Sequence, residues 1–323
     1  MRNLLAIFRR SAVPVSIVLV CAMTSLSQVS LRKALDYDGD GKADSVVFRP
    51  SNNTWFVNKS NGSGYIFQPF GLTAEDFMTP GDYDGDGLAD ISVWRDTNGT
   101  WYRLNSNGNT FTAIQFGTTG DEPVARDYDG DGKTDLAVAR RSNGAMTWYV
   151  LRSTDQGLTG AQFGLSTDFT APGDYDGDGK FDFAVQRPGA TPTSQATFFA
   201  LQSSNGQLFA VSWGLSNDLV VPGDYDGDGK TDVAVVREGS TPSSNLSWYI
   251  LQSSNGQLKA ASFGLTGSDL NVQNDYDGDG KTDIGVWRDT EGNFYYIRSS
   301  DSAVGAEHWG ASNDFPVASY DTH

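Results

Sequence analysis

The chain has 323 residues, with 40 acidic against 23 basic side chains and a formal net charge of −17. That balance excludes nucleic acid as a natural partner, because phosphate contacts need a basic surface. One cysteine, Cys21, and two histidines, His308 and His323, leave no disulfide framework and little material for a nucleophile–base pair.

Residues 1–27 read as a secretory leader. Met1–Arg10 is a basic stretch, Ser11–Met23 is a short apolar run interrupted by Pro14, and Ser25-Leu26-Ser27 offers small residues for cleavage. The apolar run is too short to span a bilayer, so no transmembrane segment is expected. Lipid anchoring at Cys21 is disfavoured by the bulky Val20 before it. Removal of the leader leaves no cysteine, and residues 28–323 form the expected folded unit. This places the protein outside the cell, secreted or at the cell surface, where calcium rather than disulfides would stabilise it.

A short strand candidate, Val29–Leu35, leads into the first copy of the sequence that organises everything after it: Asp-Tyr-Asp-Gly-Asp-Gly-x-x-Asp. Copies begin at Asp36, Asp82, Asp127, Asp174, Asp224 and Asp275. A repeat of roughly 45–50 residues points to a propeller, solenoid or array. Aspartates stand at positions 1, 3, 5 and 9 of each loop, and glycines at 4 and 6. Hard oxygen donors at alternate positions, wrapped by glycine turns, suit calcium, which takes six to eight oxygens. The variable residue at position 7 fits a ligand supplied by the backbone carbonyl. The candidate ligands are Asp36, Asp38, Asp40, Lys42 and Asp44 in loop 1; Asp82, Asp84, Asp86, Leu88 and Asp90 in loop 2; and Asp127, Asp129, Asp131, Lys133 and Asp135 in loop 3. They continue as Asp174, Asp176, Asp178, Lys180 and Asp182 in loop 4; Asp224, Asp226, Asp228, Lys230 and Asp232 in loop 5; and Asp275, Asp277, Asp279, Lys281 and Asp283 in loop 6. About six calcium ions are expected, one per loop. Magnesium suits the loops less well, because it demands near-octahedral geometry. These loops hold well over half of the acidic residues, so the acidity is mostly that of metal sites.

Each loop is followed by a β-branched run ending in arginine, as in Val233-Ala234-Val235-Val236-Arg237. A strand carrying an aromatic pair comes next: Trp55-Phe56, Trp101-Tyr102, Trp148-Tyr149, Phe198-Phe199, Trp248-Tyr249 and Phe294-Tyr295. A hairpin turn, often Asn-Gly, leads to a further strand ending in an aromatic–glycine step such as Phe70-Gly71 or Trp309-Gly310. A polar connection then reaches a short strand, such as Leu219-Val220-Val221, before the next loop. Four short antiparallel strands per repeat, which we letter A to D with the loop between A and B, form the unit of a β-propeller. The fold expected is all-β, a six-bladed propeller. The tail Asp314–Asp321 resembles a seventh strand A without its loop, and is expected to return to the first blade and close the ring.

The loops together with the aromatic–glycine steps resemble the FG-GAP/VCBS repeat family, whose propellers include the integrin α-subunit head and certain fungal lectins. The resemblance covers residues 29–323 and implies a calcium ion held by the four aspartates of each loop. It does not imply one function, since members include adhesion receptors, lectins and polysaccharide-cleaving enzymes. Six complete motifs depart from the usual seven blades, and there is no appended enzyme domain.

In an up-and-down blade the A–B and C–D turns share one face, and the B–C and D–A connections the other. The variable B–C loops, long at Pro188–Ala196 and Glu238–Leu246, make the second face the expected binding face. It also carries an arginine per repeat (Arg49, Arg95, Arg140, Arg187, Arg237, Arg288) and an aspartate before each loop (Asp76, Asp121, Asp168, Asp218, Asp269, with Asp314 in the tail). These read either as one structural pair per blade or as an anion-binding rim. The scattered free glutamates do not assemble an acid–base pair. The function expected is a non-catalytic, calcium-binding scaffold for protein interaction or adhesion, with an extracellular protein as partner. The alternative is a lectin-like glycan binder using aromatics such as Trp94, Trp287 or Tyr295, and the third reading is a polysaccharide-active enzyme.

Overall fold

A computed structural model describes residues 34–318. The leader reading, Cys21, His323, Asp321 and most of the Val29–Leu35 segment lie outside those residues.

The β-branched run after each loop is buried almost throughout, as in Ser45–Arg49 and Val233–Arg237. Continuous burial, rather than alternation, is what a strand covered on both faces requires. Each run pairs antiparallel with the aromatic-pair strand after it, for example Val47 opposite Phe56 and Val235 opposite Tyr249. The outer strand D alternates exposed and half-buried, as in Tyr65–Pro69. Six four-stranded sheets result.

Blade 1 consists of strand A Phe315–Pro316, B Ser45–Arg49, C Thr54–Asn58 and D Tyr65–Pro69. Blade 2 follows as Asp76–Met78, Ile91–Arg95, Thr100–Leu104 and Phe111–Gln115, and blade 3 as Glu122–Pro123, Leu136–Ser142, Ala145–Leu151 and Leu158–Leu165. Blade 4 is Phe169–Thr170, Phe183–Arg187, Gln195–Leu201 and Leu208–Leu215, and blade 5 Leu219–Val220, Val233–Arg237, Asn245–Leu251 and Leu258–Leu265. Blade 6 is Asp269–Asn271, Ile284–Arg288, Asn293–Ile297 and Val304–His308. The ring is closed as the tail predicts: Phe315 and Pro316 pair with Phe48 and Val47 of blade 1. The inner strand that pairs with Ser45–Arg49 therefore comes from the end of the chain. Ala34 and Leu35, the described part of that segment, form a turn, with Leu35 buried against Val46 and Val317.

The hydrophobic core lies between successive sheets. One cluster joins Val46, Phe48, Trp55 and Val57 of blade 1 to Ile91 and Val93 of blade 2. The first aromatic of each pair supplies the bulk: Trp55, Trp101, Trp148 and Trp248 are fully buried. Their indole Nε1 groups donate to the carbonyls of Phe70, Phe116, Phe163 and Phe263, the aromatic–glycine steps. The glycine after each is required twice over. At Gly71 φ is +91°, and a Cβ there would come 3.1 Å from Val93 of the next blade. No helix among the described residues is long and apolar enough to cross a membrane.

Candidate metal centres

Each loop folds because its glycines let two backbone N–H groups turn onto the first aspartate. In loop 1, Gly39 N donates to Asp36 Oδ1 at 2.6 Å and Gly41 N to Oδ2 at 3.0 Å, with φ near +80° and +85°. The other five loops repeat the pattern, for example Gly227 and Gly229 onto Asp224 at 2.6 and 3.1 Å. Position 5 accepts from the backbone N–H of position 7, as in Lys42 N to Asp40 Oδ1 at 2.9 Å.

The curl brings the carboxylates together. Oxygens of Asp36, Asp38 and Asp40, of Asp82, Asp84 and Asp86, and of Asp127, Asp129 and Asp131 lie within 4.8 Å of one another. In loops 4 and 5 the converging sets are Asp174, Asp176, Asp182 and Asp224, Asp226, Asp232. In loops 1 to 5 no Lys or Arg among the described residues forms an ion pair with a clustered carboxylate; the arginines pair elsewhere. Three like charges at such range, with no ion pair to offset them in loops 1 to 5, match the donor set of a hard cation.

The ninth aspartate is the most buried and does more than close the site. Asp44 Oδ2 accepts from Tyr37 N at 2.8 Å and its Oδ1 from Ser60 N at 2.7 Å. It thereby ties the loop's start to the C–D hairpin of its own blade. The same double bridge recurs at Asp90, Asp135, Asp182, Asp232 and Asp283 with Ser106, Ser153, Ser203, Ser253 and Ser299. Each of these serines also donates Oγ to the fifth aspartate, as Ser253 does to Asp228 at 2.8 Å. Burial pushes the ninth carboxyl up to about 7 at Asp44, Asp135, Asp182, Asp232 and Asp283, and to about 6 at Asp90, while the backbone N–H bonds pull the other way. Sequence reasoning missed the serine, although one stands in the C–D turn of every repeat, just before Asn-Gly in four of them.

Neighbouring loops are joined in a closed circuit. The N–H at position 8 donates to the carbonyl of the first aspartate of the loop before it: Ala89 to Asp36, Thr134 to Asp82, Phe181 to Asp127, Thr231 to Asp174, Thr282 to Asp224, and Ala43 back to Asp275. Position 7, expected to act only through its backbone, lays its side chain over position 4 of the preceding loop, as Lys180 does at Gly130.

On the opposite face every repeat's arginine meets its aspartate side on. Arg237 Nε and Nη2 reach Asp218 at 2.8 Å each, and Arg49 reaches Asp314 of the closing segment at 2.8 and 2.7 Å. The guanidinium lies over the second aromatic of the pair, 4.7 Å above Tyr249 in blade 5. The same aspartate accepts the N–H that follows the aromatic–glycine step, as from Leu215 to Asp218 at 2.7 Å. With both carboxylate oxygens engaged, the pairs staple each blade together and leave no free anion-binding rim. At the mouth of the central channel a cavity of about 1020 Å³ includes Glu75, Asp96, Glu238 and Asp289 in its wall.

The aromatics expected to meet sugar do not. Trp94 and Trp287 are fully buried, their indoles donating to the carbonyls of Phe116 and Trp309 at 3.2 Å. The ring of Tyr295 lies beneath Arg288, and its hydroxyl is tied to Glu291 and Asn293. Exposed rings are found instead on the outer strands, at Tyr65, Phe67 and Phe111, and on inner strands, at Phe169 and Phe315. His308 is exposed and shares a 2.7 Å hydrogen bond with Asn293.

A sequence profile described as FG-GAP-like repeat matches residues 36–91 and 127–185, stretches that run from the first loop through the second and from the third through the fourth. The chain carries FG-GAP-like repeats. Among solved structures, those similar to it include an Agrocybe aegerita lectin described as recognising non-reducing terminal N-acetylglucosamine, at 15% identity over 81% of this chain and 89% of that one, TM-score 0.49. A Synechocystis apocarotenoid oxygenase aligns at 10% identity over 85% and 76%, TM-score 0.43. The β-propeller domain of the Trilobed protease from Pyrococcus furiosus aligns at 12% over 76% and 83%, TM-score 0.37. No curated protein matches the sequence.

Proposed function

We propose that this FG-GAP-like propeller is a calcium-dependent, non-catalytic binding scaffold that works outside the cell, with one calcium ion in each of its six loops. The observation that supports it is the convergence of three loop carboxylates beside a hairpin that the ninth aspartate fastens to the loop. Positions 1, 3, 5 and 9 would supply side-chain oxygens and position 7 its carbonyl. The ion would hold the charged form of carboxylates that burial otherwise disfavours, making metal part of the fold in the millimolar calcium of extracellular fluid. The partner is proposed to be an extracellular protein that meets the face of variable B–C loops. A pull-down from the producing cell's surface, in millimolar calcium and again in EDTA, tests this. Calcium-dependent capture of a defined protein is expected, and equal capture in EDTA refutes the dependence.

A second reading, a glycan binder, is supported by the exposed rings of Tyr65 and Phe67. Tyr65 stacks on Trp309 at 4.9 Å between centroids, so a sugar on this pair would change tryptophan emission. A glycan array read alongside that emission separates the two. A calcium-dependent hit with an emission change makes the protein a lectin, and a blank array with folded protein leaves the protein-binding scaffold.

A further inference from the structure

The six loops are not electrostatically equivalent. Each is overlaid by the position-7 side chain of the next blade. In five cases that side chain is lysine: Lys133 over Gly85, Lys180 over Gly130, Lys230 over Gly177, Lys281 over Gly227 and Lys42 over Gly278. Loop 1 alone receives an apolar group, Leu88, whose Cδ2 would come 3.0 Å from a Cβ at Gly39. At Lys133 the ammonium reaches the carbonyl of Asp84, a proposed ligand residue of loop 2, at 3.0 Å. The lysines thus bring positive charge to the rim of loops 2 to 6.

We propose that Leu88 makes loop 1 the highest-affinity metal site of the ring. The inference rests on the calcium reading above. An ammonium facing a divalent cation opposes its binding, and at a solvent-exposed rim one such charge changes affinity by about ten-fold. Loop 1 escapes that penalty while keeping the same aspartates, glycine bonds and serine bridge as the rest. Its position gives the difference a consequence. Loop 1 belongs to blade 1, whose inner strand is supplied by the end of the chain. It touches both neighbours, through Ala89 N to Asp36 O and Ala43 N to Asp275 O. As calcium rises, the site that fills first is therefore the one in the closing blade.

The test is calcium titration of the metal-stripped full chain at neutral pH, by calorimetry and by native mass spectrometry, with near-UV circular dichroism confirming a common fold at saturating calcium. One ion is expected to bind about ten-fold tighter than the mean of the others. Leu88→Lys should abolish that tight class, and Lys133→Leu should create a second, at loop 2. Asp38→Asn should remove the tight class while Asp84→Asn spares it, which places it in loop 1. Six equivalent sites in the wild type, or a tight class that survives Leu88→Lys, overturns the proposal and leaves the calcium reading standing. No calcium binding at all overturns both.

Discussion

Removing the metal should reverse the sign of the protein's pH dependence. In the metal-free fold the ninth aspartates are almost wholly buried, and burial lifts their carboxyls to about 7, or about 6 at Asp90. In the unfolded chain the same group titrates near ~3.9. Between those values the folded state binds more protons than the unfolded state, so stability falls as pH rises. A rise of about three units corresponds to roughly 4 kcal/mol for one group, at about 1.4 kcal/mol per unit. If only a quarter of that is realised in each of six loops, the sum is about 6 kcal/mol, comparable to the ~5–15 kcal/mol stability of a whole domain. Bound calcium holds the carboxylates charged and inverts the relation, with stability highest near neutral pH and lost as acid displaces the ion. The assay is a set of urea melts followed by tryptophan emission from about pH 5 to about pH 8, in EDTA and in millimolar calcium. The midpoint should fall with rising pH in EDTA and rise with pH in calcium. Parallel trends in the two series would refute the idea that the loops' buried carboxylates are metal-dependent.

Two further predictions concern the other face and the closure. Arg237→Met leaves the Asp218 carboxylate buried, with only the Leu215 N–H as partner, and should cost about 2–4 kcal/mol with calcium affinity unchanged; an unaltered melt in calcium would mean the pair is dispensable. Deleting residues 314–323 removes the inner strand of blade 1 and the partner of Arg49, exposing the inner edge of Ser45–Arg49, and should lower the melting temperature by roughly 10 °C or more. Scanning calorimetry of the truncated chain decides it, because a melt equal to that of the full chain rules out the closing contact.

The period of the aspartate loops and the strand signals between them were enough to specify six four-stranded blades and a tail that closes the ring. Those features are local: a β-branched run, an Asn-Gly turn and a glycine step each carry their own conformational preference. What sequence left open depends on which residues face one another across turns and between blades. Trp94 and Trp287 stand next to last in a strand run and read as candidates for the surface, but each is sealed by the next aromatic–glycine step, so the sugar platform assigned to them does not exist. Ser203 and its five counterparts were visible as a repeated residue, but their bond to the ninth aspartate spans about 21 positions in blade 4 and needed the fold to show it. The varying residue at position 7 was consistent with a backbone ligand. Only the packing of one blade on the next revealed that its side chain belongs to the neighbouring loop.

These contacts constrain where recognition can occur. Loop carboxylates face inward to their own backbone, to the hairpin serine and to the proposed metal, while the arginines of the opposite face are committed to aspartates in their own blades. Both rings are uniform because each solves the same packing problem in every blade, and uniformity of that kind confers no preference for one partner over another. Selectivity must come from groups that differ between blades. Such groups include Glu238 and Asp289 at the mouth of the central channel, the long B–C connections of blades 4 and 5, and the ring pair Tyr65 and Phe67, whose positions on the other outer strands are taken by Phe111 or smaller side chains. The first two lie on the face opposite the metal loops. A partner held there would sense calcium only through the rigidity that the loops impart to the blades. Its affinity should therefore follow the unfolding midpoint across calcium concentrations rather than the occupancy of any single loop.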